Sequence, residues 1–189
     1  MSERVKIIST AAALSFALGL LVACSSAKEG AGSGGGGAGS AAGGAGGGTC
    51  VPYAVPAGTD LQQPKVSLKS DVMTVFNNNC GAATCHGSST SGQGALFLGA
   101  ESAHKADASQ VRTGLVGHAG NELPSMPLVT AGDPSKSYLM HKMDGDQCQF
   151  DAACAGGCLA VMPSGLGHVL PAATRDVVRR WIAQGAQDD

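Results

Sequence analysis

The sequence has little charge, few aromatic residues and no alternating pattern that indicates a β-sheet. Charged residues make up 14% of the chain and aromatic residues 4%, and the formal net charge is −2. Proteins that bind nucleic acid through its phosphates need a basic surface, so this composition excludes that class. The one long apolar run, from Ile7 to Leu21, is shorter than the roughly 20 residues of a membrane-spanning helix.

The first residues have the organisation of an export signal. Arg4 and Lys6 precede the apolar run, which ends at Leu21-Val22-Ala23-Cys24. This ending resembles the bacterial lipobox, in which cleavage precedes a cysteine that is then acylated. We therefore expect residues 1–23 to be a signal peptide and Cys24 to carry lipid that holds the chain on a membrane. Ser25 follows that cysteine and favours the outer membrane of a Gram-negative envelope; an ordinary secretory signal is the alternative.

Glycine dominates the next stretch of the chain. Of the 29 glycines in the protein, 12 lie between residues 30 and 48, and most of their neighbours are alanine or serine. Such a composition is typical of a flexible coil, and residues 24–64 would reach about 35 Å from a membrane. We interpret residues 24–64 as a tether and residues 65–189 as the folded domain.

Apolar spacing and capping residues predict four helices in that domain. The first follows Ser67 or Ser70 and ends in the run Asn77–Asn79. A second extends from Glu101 to Leu115, and a third starts after Asp133-Pro134. The fourth opens at Pro171 and stops at Gly185. The predicted core has few large side chains: Phe76, Phe97, Tyr138, Phe150 and Trp181.

The sharpest local pattern is Cys80-Gly-Ala-Ala-Thr-Cys85-His86-Gly87. A c-type haem is attached when two cysteine sulfurs add to its vinyl groups, and the histidine after the second cysteine becomes an iron ligand. The usual spacer has two residues and this one has four, so its small residues must bulge. The alternative is a Cys80–Cys85 disulfide beside an uninvolved His86.

Several segments in order extend this pattern. They are Val75-Phe76, the Cys80–Gly87 motif, Ala131–Leu139, Met162-Pro163 and Arg180–Ala186. Together they resemble the cytochrome c-like domain of planctomycete and myxobacterial secreted proteins, over about residues 66–186. The resemblance implies a small all-α domain with one covalent haem c and with His86 and Met162 as axial ligands. The chain departs from it in the four-residue spacer and in a cysteine-rich insertion before Met162.

Methionine is a neutral, weak ligand that favours Fe(II), so a histidine–methionine pair suits electron transfer. Met126-Pro127 competes with Met162, but it precedes the Asp133-Pro134 helix, whereas the family's methionine follows that helix. We expect four further histidines to lie on the surface or in loops, with two of them, His118 and His168, as reserve iron ligands. The full set is His104, His118, His141 and His168.

Four cysteines remain once lipid and haem are assigned: Cys50, Cys148, Cys154 and Cys158. They allow two disulfides in three possible connectivities, and an exported chain favours disulfides over free thiols. A zinc site built from the last three with His141 is a rival, although the spacing fits no paired C-x-x-C site.

These features predict a membrane-tethered, single-haem cytochrome that passes single electrons between redox proteins of the cell envelope. No residue pattern indicates a hydrolase or a substrate pocket, so we expect an electron carrier rather than a catalyst. One alternative is a non-haem, disulfide-stapled surface lipoprotein with a binding or structural role. Another is an accessory haem subunit of an envelope oxidoreductase.

Overall fold

The protein was analysed as a computed structural model that describes residues 50–88, 90, 93–99 and 107–189. The signal peptide, Cys24, the tether as far as residue 49 and His104 lie outside these residues. The predictions made for them therefore stay predictions.

The described residues form an all-α unit, as expected. Its helices are α1 (Met73–Asn79), α2 (Ala108–Leu115), α3 (Tyr138–Asp144) and α4 (Ala172–Ala183). A π-helical turn, Leu68–Val72, leads into α1, and three short 3-10 turns occupy Gln93–Ala95, Pro134–Lys136 and Gln147–Phe150. The described ranges contain isolated β-bridges but no β-strand.

Two helical segments begin where the sequence predicts caps. The Ser67 hydroxyl accepts a hydrogen bond from the Ser70 amide at the start of the first helical segment. Asp133 does the same for Ser135, with Pro134 in the first position of the turn before α3. The first residues of the predicted second helix, 101–106, lie outside the described ranges, and α2 itself begins after Asp107, whose carboxylate caps Ser109.

Glycine ends two of the helices. Gly145 closes α3 with φ of 77°, and Gly185 follows α4 with φ of 99°. Both angles lie in the left-handed region that side chains disfavour, so glycine suits these positions. Gly185 confirms the predicted stop of the last helix.

One apolar cluster joins the first helical segment to α3 and α4. Its largest fully buried side chains include Phe76, Trp181 and Met140. The indole nitrogen of Trp181 donates to the Gln187 carbonyl at 2.9 Å, so the buried ring leaves no unpaired donor. A second, smaller cluster surrounds Tyr138, Leu123 and the Cys154–Cys158 pair. Two of the five large side chains predicted for the core, Phe97 and Phe150, are only partly buried.

Residues 50–64, which the composition assigns to the tether, are fastened to the domain. Cys50 forms a disulfide with Cys148, and the Tyr53 amide donates to Asp146 at 2.7 Å. The Tyr53 ring lies 4.7 Å from the Arg175 guanidinium. The folded unit therefore extends at least to Cys50, well before the predicted boundary at residue 65.

None of the described helices is long and apolar enough to cross a membrane.

Candidate functional site

Two adjoining cavities open between the α1 end of the domain and the loop before α4. Their volumes are about 230 and 250 Å³. Both are bordered by Cys80, His86 and Met162, and Cys85 borders the second. The structure thus brings together all four residues that the sequence singles out for haem, although they span some 80 positions of the chain.

One side of the cavities is the His86 loop, residues 80–87. It begins where the Cys80 amide donates to the Phe76 carbonyl at 2.7 Å, which continues α1 by one bond. The His86 amide then donates to the Cys80 carbonyl at 3.1 Å, which closes the loop. The spacer residues Ala82–Thr84 are exposed, so the extra length bulges outward as expected. The longer spacer still holds His86 beside Cys80.

Gly87 is required for this closure. A methyl group at its Cα would lie 2.1 Å from the Gly81 carbonyl oxygen and 2.8 Å from the Ala82 carbonyl carbon. Both neighbours are backbone atoms and cannot rotate away. The Gly87 amide also donates to the Ala82 carbonyl at 2.9 Å. The glycine after His86 therefore allows two stretches of backbone to approach closely.

The His86 ring is oriented by its own backbone surroundings. Its Nδ1 lies 3.1 Å from the Leu96 carbonyl oxygen. A carbonyl can only accept, so Nδ1 carries the proton and the lone pair of Nε2 stays available for a metal. Burial lowers the pKa of His86, with a partial offset from hydrogen bonds to backbone. The ring is therefore neutral at pH 7 and suited to metal ligation.

The two cysteines of the loop differ in state. Cys80 is a free thiol, and burial raises its pKa to about 12, so it stays protonated at neutral pH. The Cys85 sulfur is disulfide-bonded in the structure. Because Cys80 is free, the Cys80–Cys85 disulfide that the sequence left as an alternative is not formed.

The cavities are also bordered by the Met162 loop, residues 158–163. The Met162 amide donates to the Lys142 carbonyl at 2.8 Å, which attaches the loop to α3. The Leu159 carbonyl accepts from the Gln147 side chain at 3.1 Å. The rival methionine, Met126, packs instead against the small cluster around Tyr138. The position of Met162 at the cavity follows the order argued from the sequence.

Three of the other histidines can be located. His118 is exposed at the border of the first cavity, and His168 is exposed in the loop before α4. His141 corrects the expectation of a surface or loop residue, because it lies within α3 with a side chain only 12% exposed. Its Nδ1 contacts Asp146 at 2.8 Å and its Nε2 contacts the Ser135 carbonyl at 3.0 Å.

The four remaining cysteines form two disulfides, which confirms that prediction. The pairs are Cys50–Cys148 and Cys154–Cys158. Of the three connectivities that the sequence left open, the structure selects this one. It also consumes the sulfurs of the rival zinc site, because a disulfide sulfur cannot serve as a thiolate ligand.

The sequence did not predict the buried ionic group that Lys142 and Glu122 form beside the cavity. Lys142 is only 6% exposed, and its ammonium donates to Glu122 at 2.7 Å and to the Cys158 carbonyl at 2.8 Å. The Tyr138 hydroxyl donates to the same Glu122 carboxylate at 2.7 Å. Burial lowers the pKa of Lys142, and the nearby carboxylate offsets part of this change. Glu122 thus neutralises a lysine that is otherwise enclosed.

A second buried ionic group joins the C-terminal end of α3 to α4. Asp144 accepts hydrogen bonds from both Arg175 and Arg179 of α4, and the Arg179 contacts measure 2.7 and 3.0 Å. The Tyr53 ring covers both guanidiniums at 4.6 to 4.7 Å. The only hint of these buried ionic groups in the sequence is that Lys142 and Asp144 lie in α3 among apolar residues. Their partners are distant in sequence and could not be assigned from that signal.

Comparisons with models of protein families, with curated proteins and with solved structures gave no match to this chain.

Proposed function

We propose that the protein is a membrane-tethered, mono-haem c-type cytochrome of the cell envelope that carries single electrons between redox partners. The observation that supports this proposal is the convergence of Cys80, Cys85, His86 and Met162 on adjoining cavities. Cys80 and Cys85 would hold the cofactor covalently, and His86 and Met162 would ligate its iron.

The residues at the cavity suit a haem. Leucine side chains, including Leu96, Leu98 and Leu128, and Met143 supply apolar surface that a porphyrin can cover. The hydrogen bond from His86 Nδ1 to Leu96 fixes the tautomer that a ligating imidazole requires. The bound iron would supply a one-electron couple between Fe(III) and Fe(II). The thioether of Met162 would favour the reduced state and raise the reduction potential.

A second function is favoured by a specific observation. The Cys50–Cys148 and Cys154–Cys158 disulfides are the state expected of a non-haem, disulfide-stapled surface lipoprotein with a binding or structural role. The two functions differ in one property, the presence of covalent haem.

Haem analysis of the denatured protein distinguishes these functions. The full chain is produced with an intact haem-maturation system, and its pyridine haemochrome spectrum is recorded. We expect one covalent haem per chain in the wild type and at most one thioether bond in Cys85→Ser, with a lower holoprotein yield. His118→Ala serves as the control for His86→Ala, and only the latter should lose the proximal ligand. A wild type without haem would establish the stapled lipoprotein instead.

The sixth ligand is tested separately by two methionine variants. Met162→Ala should abolish the sulfur-to-iron charge-transfer band of the oxidised protein and lower its potential, because replacement ligands donate more strongly to Fe(III). Met126→Ala should leave both unchanged. The reverse result would assign the iron to Met126, and no change in either variant would indicate a histidine ligand such as His118.

The membrane anchor is tested by mass spectrometry of the mature chain. We expect the mature N-terminus at Cys24, modified by acyl chains, and partition of the protein into detergent. An unmodified chain that begins elsewhere would remove the anchor from the proposal without affecting the haem.

A further inference from the structure

Lys142 contacts both ends of the segment that leads to Met162. Its side-chain ammonium donates to the Cys158 carbonyl at 2.8 Å. Its own carbonyl accepts from the Met162 amide, also at 2.8 Å. A single residue of α3 therefore holds the segment at its first residue and again at the methionine.

The part of the segment between these two points has weaker support. Leu159 is 58% exposed and has φ of 49°, an angle that costs energy for a residue other than glycine. Its carbonyl is held by Gln147 at 3.1 Å. Cys158 itself is also held by Asp151, which accepts from the Cys158 amide at 3.2 Å. A segment with a strained and exposed centre depends on its attachment points.

Burying the Lys142 ammonium costs more free energy than burying an apolar side chain of the same size. Lys142 is almost completely enclosed, and an enclosed ammonium requires partners for its charge. Glu122 supplies the opposite charge at 2.7 Å, and the Tyr138 hydroxyl holds that carboxylate in turn. An apolar side chain would fill the same space without these partners. The distinct property of lysine here is its hydrogen bond to the Cys158 carbonyl.

We propose that Lys142, neutralised by Glu122, is a positioning residue that keeps the Met162 loop against α3 and so keeps the methionine at the cavity. This proposal rests on the proposed function, in which Met162 is an iron ligand. Loss of the Lys142 side chain would release Cys158 and let Met162 leave the iron more often, while His86 and the attached haem stay in place.

The decisive variant is Lys142→Met, which keeps an unbranched apolar side chain and removes the ammonium. Lys136→Met is the matched control, because Lys136 is an exposed lysine that precedes the same helix. Imidazole, which competes with methionine for oxidised haem iron, is the probe. We expect Lys142→Met to bind imidazole about ten-fold more tightly than the wild type, since a hydrogen bond to a charged group is lost. Lys136→Met should bind it as the wild type does.

The outcome that overturns the proposal is wild-type imidazole affinity in Lys142→Met with the haem content unchanged. A merely structural role would lower the denaturation midpoint without this change in affinity. Should Lys142→Met fail to fold, Glu122→Gln removes the neutralising charge and leaves the lysine in place. A smaller increase in affinity then supports the proposal, and none overturns it.

Hydrogen exchange separates this proposal from the proposed function. The Met162 amide is protected by its bond to Lys142, and the measurement does not require haem. If the wild type carries no haem, the proposed function fails. Faster exchange of this amide in Lys142→Met than in Lys136→Met would still support Lys142 as the attachment of the loop. Equal exchange in the two variants would overturn that attachment as well.

Discussion

The two loops that border the cavities are held by different means. The His86 loop closes on itself through backbone hydrogen bonds, such as that from the His86 amide to the Cys80 carbonyl, six residues earlier. The Met162 loop is attached to α3 by Lys142, 20 residues earlier, and is also held by the Cys154–Cys158 disulfide and by hydrogen bonds to Gln147 and Asp151. The His86 loop also relies on the nearby residues 93–99, since the Leu96 carbonyl orients the His86 ring and the Leu98 amide donates to the His86 carbonyl. The Met162 loop depends instead on the stability of its support, α3.

The largest expected loss of stability comes from a change in α3, which supports the Met162 loop. Asp144→Ala would leave Arg175 and Arg179 buried without their shared carboxylate, and loss of one partner from a buried ionic group costs about 3–5 kcal/mol. The free energy of unfolding, measured in urea, should fall by this amount. The control is Asp188→Asn, because Asp188 forms an exposed ion pair with Lys69 at 3.9 Å. That change should cost about 1 kcal/mol or less, and an equal loss in both variants would contradict the difference between the sites.

The His86 loop is tested by Gly87→Ala. The added methyl group would meet the Gly81 carbonyl oxygen at 2.1 Å, so the loop must open. Overpacking of this kind costs about 1–3 kcal/mol in unfolding free energy. Gly114→Ala in α2 is the control, since a methyl group there meets nothing within 4 Å and a helix favours alanine. A Gly87→Ala protein as stable as the wild type would show that the loop is not tightly closed.

The Met162 loop has its own test in the double variant Cys154→Ser with Cys158→Ser. This disulfide spans a sequence separation of 4, and closing so short a loop contributes about 2 kcal/mol in the chain-entropy model. Urea unfolding should show this loss, and haem content should not change because the His86 loop is intact. Loss of haem in this variant would mean that the two loops are not independent.

The smallest expected effect is a pH dependence of the stability through His141, which lies in neither loop. Burial lowers the pKa of His141, but the hydrogen bond and charge of Asp146 outweigh it, so the pKa lies above its usual value. The contribution to stability is therefore complete below the unfolded pKa of about 6.5 and disappears as the pH rises through the folded value. We expect His141→Asn to lose more stability at pH 6 than at pH 8, with His168→Asn as the exposed control. Equal losses at both pH values would contradict this.

The features that the sequence predicted are those that depend on neighbouring residues. Ser67 and Asp133 cap the segments they precede, and Gly185 ends α4, because each acts on backbone within a few positions. Within the Cys80–Gly87 pattern the His86 amide donates to the Cys80 carbonyl, whereas the contacts of His86 with Leu96 and Leu98 come from outside it. Met162 borders the same cavities as that loop, and its role as an iron ligand, which comes from chain order and from the family resemblance, stays a prediction.

The features that the sequence did not predict depend on distant partners. Glu122 and Lys142 are 20 residues apart, and Asp144 reaches Arg175 across 31. A charged residue in a sequence is by default interpreted as solvated, and only the three-dimensional packing identifies its partner. Residues 50–64 show the same problem, since their composition indicates a linker while Tyr53 and Cys50 attach them to the domain.

The Cys50–Cys148 disulfide also determines how the domain would respond to mechanical load. With a lipid anchor at Cys24, a pull along the tether would arrive at Cys50 and pass through a covalent bond to Cys148. A force that leaves the chain beyond Cys148 would therefore bypass residues 51–147, which include the His86 loop and α1. A domain pulled between its tether and its C-terminal helix would then keep the geometry around His86.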